Sequence, residues 1–180
     1  MKPYQPPGLW EEVSYNGDES YLPDRGEGLW RRSLYTYIKR QAPPPGLLLF
    51  DGPTREKCTV RRPRTNTPLQ ALLLLNDETY VEAARHLAAR CCGGEVSDDE
   101  RLARLFRGVL SRSPRAEETA LFTGLLNRQR ARFAAEPQGA VRLLAVGASE
   151  RLDAGPAGEM AAWTVLAHTL LNLDEAVTRR

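Results

Sequence analysis

Between Arg61 and Asp77 the sequence reads RRPRTNTPLQALLLLND, the densest group in the chain of side chains able to do chemistry. Arg61, Arg62 and Arg64 carry guanidinium groups, whose planar fork matches carboxylate, sulfate or phosphate. Thr67 can cap a helix and Pro68 suits its first position. Free N–H groups and the macrodipole at such a start favour an anion. Asn66 can hydrogen-bond a ligand hydroxyl, and Gln70 and Asp77 complete the polar group. Arg61, Arg62, Arg64, Asn66, Gln70 and Asp77 are therefore the candidate ligand-binding residues. The same side chains also suit a structural joint. In that reading Thr67 and Gln70 form a capping box, Asn66 fixes the turn, and the arginines pair with Asp51, Glu56 or the acidic N-terminal block. Polar joints are the commoner arrangement, and both readings stand at this point.

Elsewhere the chemistry-bearing residues are sparse. His86 lies across its helix from the apolar stripe and is expected to face water. His168 lies beside its own stripe with no second His or Cys at ligand spacing. Neither has a base or orienting partner visible in the sequence, so a His-based triad is not expected and no catalytic residue is assigned. Three cysteines, Cys58, Cys91 and Cys92, are an odd number without a CxxC pair, which argues against a disulfide framework and a Cys-based metal site. No CxxCH occurs, so the chain cannot attach a c-type haem covalently by the usual route; no cofactor is expected within it. The common nucleotide, zinc-protease and hydrolase signatures are missing as well. Arg31, Arg32, Tyr35, Tyr37 and Lys39 could stack and bind nucleic acid, but the net charge of +2 gives that reading little support.

The elements that must position these residues divide at Thr67. Residues 1–66 form an extended, turn-rich, Pro/Gly-rich segment with a basic loop, held down by Trp10, Tyr15 and Tyr21. RRSLYTYIKR (31–40) suits a short strand, although Trp30, Leu34, Tyr37 and Ile38 also fit helical spacing. Residues 67–180 read as a helical domain, co-folded with the first part. Its first helix is leucine-rich on all sides through Leu75 and is expected to be the central, buried one. Later helices carry Tyr80, Ala84, Leu87, Ala88 and Cys91; then Leu102, Leu105, Phe106, Val109 and Leu110; then Leu121, Phe122, Leu125, Leu126 and Phe133. A short helix over 141–147 follows. A last helix from Glu159 to about Val177 turns Trp163, Leu166, Ala167, Leu170 and Leu171 inward. The fold class is mainly α: an irregular start, then a bundle of about five to six helices.

At 180 residues with 42% apolar composition the chain can bury a core. No apolar run reaches membrane-spanning length, and the N-terminus shows no signal peptide. Residues 1–27 hold two basic and six acidic side chains, whereas residues 28–64 hold nine basic and two acidic. Mutual neutralisation of these blocks is the simpler expectation, and a ligand patch is the other.

KPYQPPGLWEEVSYNG, GLWRRSLYTYIKRQAPPPGLLLFDGPTREKCTVRRPRTNTPLQALLLLND and AAWTVLAHTLLNLDEAVTR resemble a planctomycete-specific C-terminal domain of unknown function. In that family the domain follows a cytochrome c-like domain and a second uncharacterised domain. The pattern falls here on Arg62, Thr65, Asn66, Pro68, Gln70, Ala71, Leu72, Asn76 and Asp77. The resemblance implies that this chain is a C-terminal fragment whose partners are the upstream domains of a parent protein. It implies that haem c belongs to that upstream part, and that the domain is periplasmic or extracellular. Association with degradation of sulfated polysaccharides makes an anionic polysaccharide the expected ligand of an accessory module. Its rivals are completion of an active site shared with an upstream domain, and a structural cap for that domain.

Overall fold

The computed structural model describes residues 1–17, 20–61, 63, 65–150 and 155–178. The chain divides into two compact units, Met1–Leu73 and Leu74–Arg180. It is mainly helical, with no strand or sheet among the described residues.

The first unit is built around an indole. Trp10 is buried against Tyr21 and Tyr37, at ring-centroid distances of 5.0 and 5.9 Å, and its Nε1–H donates to Gln5 Oε1 at 3.1 Å. Lys39 Nζ lies 4.6 Å from the Trp10 ring centroid, a cation–π contact. Tyr21 donates its hydroxyl to the Pro3 carbonyl, so Trp10 and Tyr21 do tie the segment down. Tyr15, expected to share that work, is fully exposed. The stretch expected to suit a strand instead makes a 3-10 turn at Ser33–Tyr35 and one isolated bridge between Lys39 and Ala42. A strand needs a neighbour to take its ladder hydrogen bonds, and Pro43-Pro44-Pro45 supplies none. Helix α1 (Pro45–Leu49) follows, with proline at its first position.

Helix α2 (Pro68–Asn76) carries the leucine run, and the unit boundary falls inside it. The expectation of a central, buried helix is overturned here. Leu69, Leu72 and Leu75 are 59, 57 and 46% exposed, and Leu74 alone of the run is buried. A helix apolar on every side gives no directional signal, so burial goes to whichever face the tertiary packing selects.

In the second unit the centre belongs to α7 (Ala157–Leu171), around which α3 (Glu78–Cys92), α5 (Ala116–Ala135) and α6 (Pro137–Leu144) pack. Met160, Ala161, Ala162, Trp163, Thr164, Leu166, Ala167 and Leu170 are all buried. Alanines at 161, 162 and 167 keep the helix surface low, which lets neighbours approach on several sides while Trp163 fills the volume between them. The Trp163 indole N–H is satisfied by Glu159 Oε1 at 2.9 Å. Helix α4 (Asp98–Leu110) buries Leu102, Leu105 and Phe106, and Phe106 meets Phe122 edge-on at 5.1 Å. Leu121, expected inward, is exposed, because Phe122 and Leu126 set the buried line of α5 one residue away. The expected last helix is broken: α7 ends at Leu171, and a separate turn, α8 (Asp174–Val177), follows.

Candidate functional site

The candidate residues of the first unit sit at the base and along the length of one loop. Asp51 holds a left-handed backbone (φ 57°) just after α1, and the Gly52 N–H returns to the Leu47 carbonyl at 2.6 Å. A side chain at Gly52 would place its Cβ 2.5 Å from that same oxygen, so the turn requires glycine there. Fourteen residues later the chain comes back. Asp51 Oδ2 accepts the Thr65 N–H at 2.9 Å and the Thr65 hydroxyl at 2.8 Å.

Gln70 completes the closure from inside α2. Its Nε2 donates to the Leu49 carbonyl at 2.7 Å and to Thr65 Oγ1 at 2.9 Å. Its Oε1 accepts the Thr67 N–H at 3.0 Å, while Thr67 Oγ1 accepts the Gln70 N–H at 3.3 Å. This is a reciprocal capping box, and the Gln70 side chain is 1% exposed. The consequence for anion binding is direct. Pro68 has no N–H, and the N–H groups of Thr67 and Gln70 are already used, so the helix start is mostly closed to a ligand. Gln70 organises the joint from a buried position.

What remains open is the loop itself. From Pro53 to Arg61 every residue is exposed, including Arg55, Lys57 and Arg61 with Glu56 among them. None of those three cations forms an ion pair among the described residues, and Asp51, one of the partners expected for Arg61, accepts two hydrogen bonds from Thr65. Arg62 and Arg64 lie outside the described residues. Asn66 is exposed next to the cap. Asp77 belongs to the second unit, where its Oδ1 accepts the Thr79 N–H at 2.9 Å and caps α3.

The second unit holds a polar cluster that the sequence reading missed. Glu82 and Arg85 are each 2% exposed and lie 3.3 Å apart on one turn of α3. Glu82 accepts the backbone N–H groups of Ser149 at 2.6 Å and Ala148 at 3.3 Å. Arg85 donates to the Leu144 carbonyl at 3.0 Å, and to the carbonyl and hydroxyl of Ser149 at 3.1 and 2.7 Å. Together they clamp the chain that leaves α6. Gly147 (φ 99°) passes so close that an added Cβ would lie 2.6 Å from the Glu82 carboxylate. His86, expected to face water, is half-buried with Nε2 at 2.7 Å from Ser149 Oγ. No local pattern could have revealed a partner 63 residues away.

Two further carboxylate clusters are structural. Arg112 bridges Glu118 and Glu175, and Arg130 bridges Asp98 and Glu159. Cys58 is exposed, whereas Cys91 and Cys92 are buried, and burial pushes the Cys92 thiol up to about 12. Among the described residues no group of three or more His, Cys, Asp or Glu is placed to hold a metal ion, and no helix is long and apolar enough to cross a membrane.

A family model described as PSD1, protein of unknown function (DUF1553), matches residues 1–126, a span that contains the whole loop and its base. No curated protein and no solved structure matches the chain.

Proposed function

The chain belongs to the PSD1 family of proteins of unknown function (DUF1553), and on that premise we propose that it is an accessory module whose basic loop binds an anionic polysaccharide. One observation carries this reading. A loop exposed from Pro53 to Arg61 displays Arg55, Lys57 and Arg61 while its two ends are fastened together by Asp51, Thr65 and Gln70. An exposed loop on a fixed base presents charge without the ordering cost of a free tail. Guanidinium groups suit the sulfate and carboxylate groups of such a polymer, and cations with no ion pair among the described residues give up none of those pairs on binding. The nearly balanced charge of the chain argues for a local patch over a general polyanion surface.

The setting of the module rests on the resemblance of its sequence. We propose that it follows upstream domains, one of them cytochrome c-like, in an exported planctomycete-type protein, and acts outside the cytoplasm. Haem c then sits upstream, and this chain contributes no cofactor. The test is a titration of the whole chain with dextran sulfate and with uncharged dextran. Binding to the first and not the second, lost with added salt, supports the reading; equal behaviour towards both polymers overturns it.

A further inference from the structure

The first unit carries a second set of charges, none of them in the basic loop. Asp24, Arg25, Gly28 and Arg31, together with Met1, line a surface hollow of about 340 Å³. That volume suits a small molecule. Its floor is fixed. Asp24 donates its N–H to the Lys2 carbonyl at 3.0 Å, and its Oδ2 accepts the Lys2 N–H at 2.8 Å. The Met1 carbonyl accepts the Tyr37 N–H at 2.8 Å, and the Met1 amine lies 3.8 Å from the same Asp24 oxygen. Three charged side chains therefore line one hollow without bonding to each other. Arg25 and Arg31 are exposed and form no ion pair or hydrogen bond among the described residues, and Asp24 Oδ1 accepts no hydrogen bond among them. Gly28 keeps the carboxylate uncovered: an added Cβ would lie 3.3 Å from the Asp24 Cβ and 3.7 Å from its Oδ2.

Two guanidinium forks call for an anionic group, and a carboxylate oxygen with an open lone pair calls for a hydroxyl donor. We propose that this hollow binds a sugar acid: a hexuronate whose carboxylate is taken by Arg25 and Arg31 while its ring hydroxyls donate to Asp24 Oδ1. A free sugar acid and a uronate unit of a polysaccharide share that chemistry. A DNA strand, which exposed Arg31, Tyr35 and Tyr37 would otherwise suit, brings phosphates with no hydroxyl beside them, so Asp24 repels it. The hollow uses no side chain of the basic loop, so the two readings stand or fall separately.

The test is a calorimetric titration of the whole chain with galacturonate, trigalacturonate and, as the uncharged control, galactose. The expected result is binding of galacturonate and none of galactose. Affinity should fall by about tenfold or more in Arg25→Gln and in Arg31→Gln, exposed positions whose variants keep the helical signal. Trigalacturonate decides between a free sugar acid and a polymer unit, and binding in either form supports the site. The loop variant Arg55→Gln, Lys57→Gln, Arg61→Gln should take up galacturonate like wild type. No galacturonate binding, equal binding of galactose, unchanged affinity in both arginine variants, or displacement of galacturonate by oligo(dT) overturns the proposal. An equal loss in the loop variant overturns it as well, while leaving the reading of the loop intact.

Discussion

Asp51 Oδ2 accepts two hydrogen bonds from Thr65, from its N–H at 2.9 Å and its hydroxyl at 2.8 Å, and so joins the ends of the loop between them. Asp51 also holds a left-handed backbone at φ 57°, which aspartate and asparagine tolerate and alanine resists. Asp51→Asn keeps one acceptor and the turn preference, whereas Asp51→Ala loses both. The asparagine variant is expected within about 0.5 kcal/mol of wild type, and the alanine variant to lose about 2 kcal/mol, read from denaturant midpoints. Limited proteolysis should cut the loop faster in Asp51→Ala. Identical midpoints and cleavage rates would show that Asp51 does not close the loop.

Gln70 offers a sharper contrast. Its amide both donates, to the Leu49 carbonyl and Thr65, and accepts, from the Thr67 N–H. Glutamate matches its size but cannot donate when ionised, and it would place a buried charge against a carbonyl. Gln70→Glu is therefore expected to be less stable than Gln70→Ala near neutral pH, with the alanine loss itself about 2 kcal/mol. Thermal melts of the two variants settle the order. Glutamate melting at or above alanine would contradict the buried-amide account.

The joint was legible because it is local. Thr67, Pro68 and Gln70 stand at capping-box spacing, and the box forms between those residues. The mainly helical class was legible for a similar reason, from apolar spacing such as Leu102, Leu105 and Phe106. What could not be read was direction. The leucine run of α2 names no face, while α7, with alanines at 161, 162 and 167, took the centre through close approach. Long-range pairing is equally hidden: the sequence offers Asp51 as one partner for the arginines, yet it serves Thr65, and it turns His86 to water, yet His86 meets Ser149. Hydrogen bonds across 14 and 63 residues leave no mark in a local window.

Acid should loosen the second unit through Glu118. Its carboxyl is held down at about 2, first by the paired hydrogen bonds from Arg112 and then by the Arg115 N–H at 2.7 Å. A carboxyl lowered in the folded state adds stability that is complete above its unfolded value, about 4.3, and fades as pH falls towards the folded value. Glu118→Gln is expected to cost about 1 kcal/mol at neutral pH, discounted for solvent screening, with the gap closing as pH falls from about 5 to 2. Melts across that range check the sign. A gap that widens in acid would mean the Arg112 contact does not form in solution.

The thiols should divide by burial. Cys58 is exposed, and Cys91 and Cys92 are buried with their thiols pushed up by desolvation. Native alkylation is expected to modify Cys58 and leave the other two until the chain is unfolded. Mass spectrometry of the alkylated, folded protein reads this directly. Modification of Cys92 at the same rate as Cys58 would place α3 outside the core.

The central claim is that a basic loop, held at its base, binds anionic polysaccharide. Its most direct measurement is the affinity of the whole chain for dextran sulfate, wild type against the combined Arg55→Gln, Lys57→Gln, Arg61→Gln variant. These side chains are exposed and form no ion pair among the described residues, so the variant should melt like wild type. The account predicts affinity lower by about tenfold or more, equivalent to about 1.4 kcal/mol, with a weaker dependence on salt. Unchanged affinity in a variant that folds normally would contradict it.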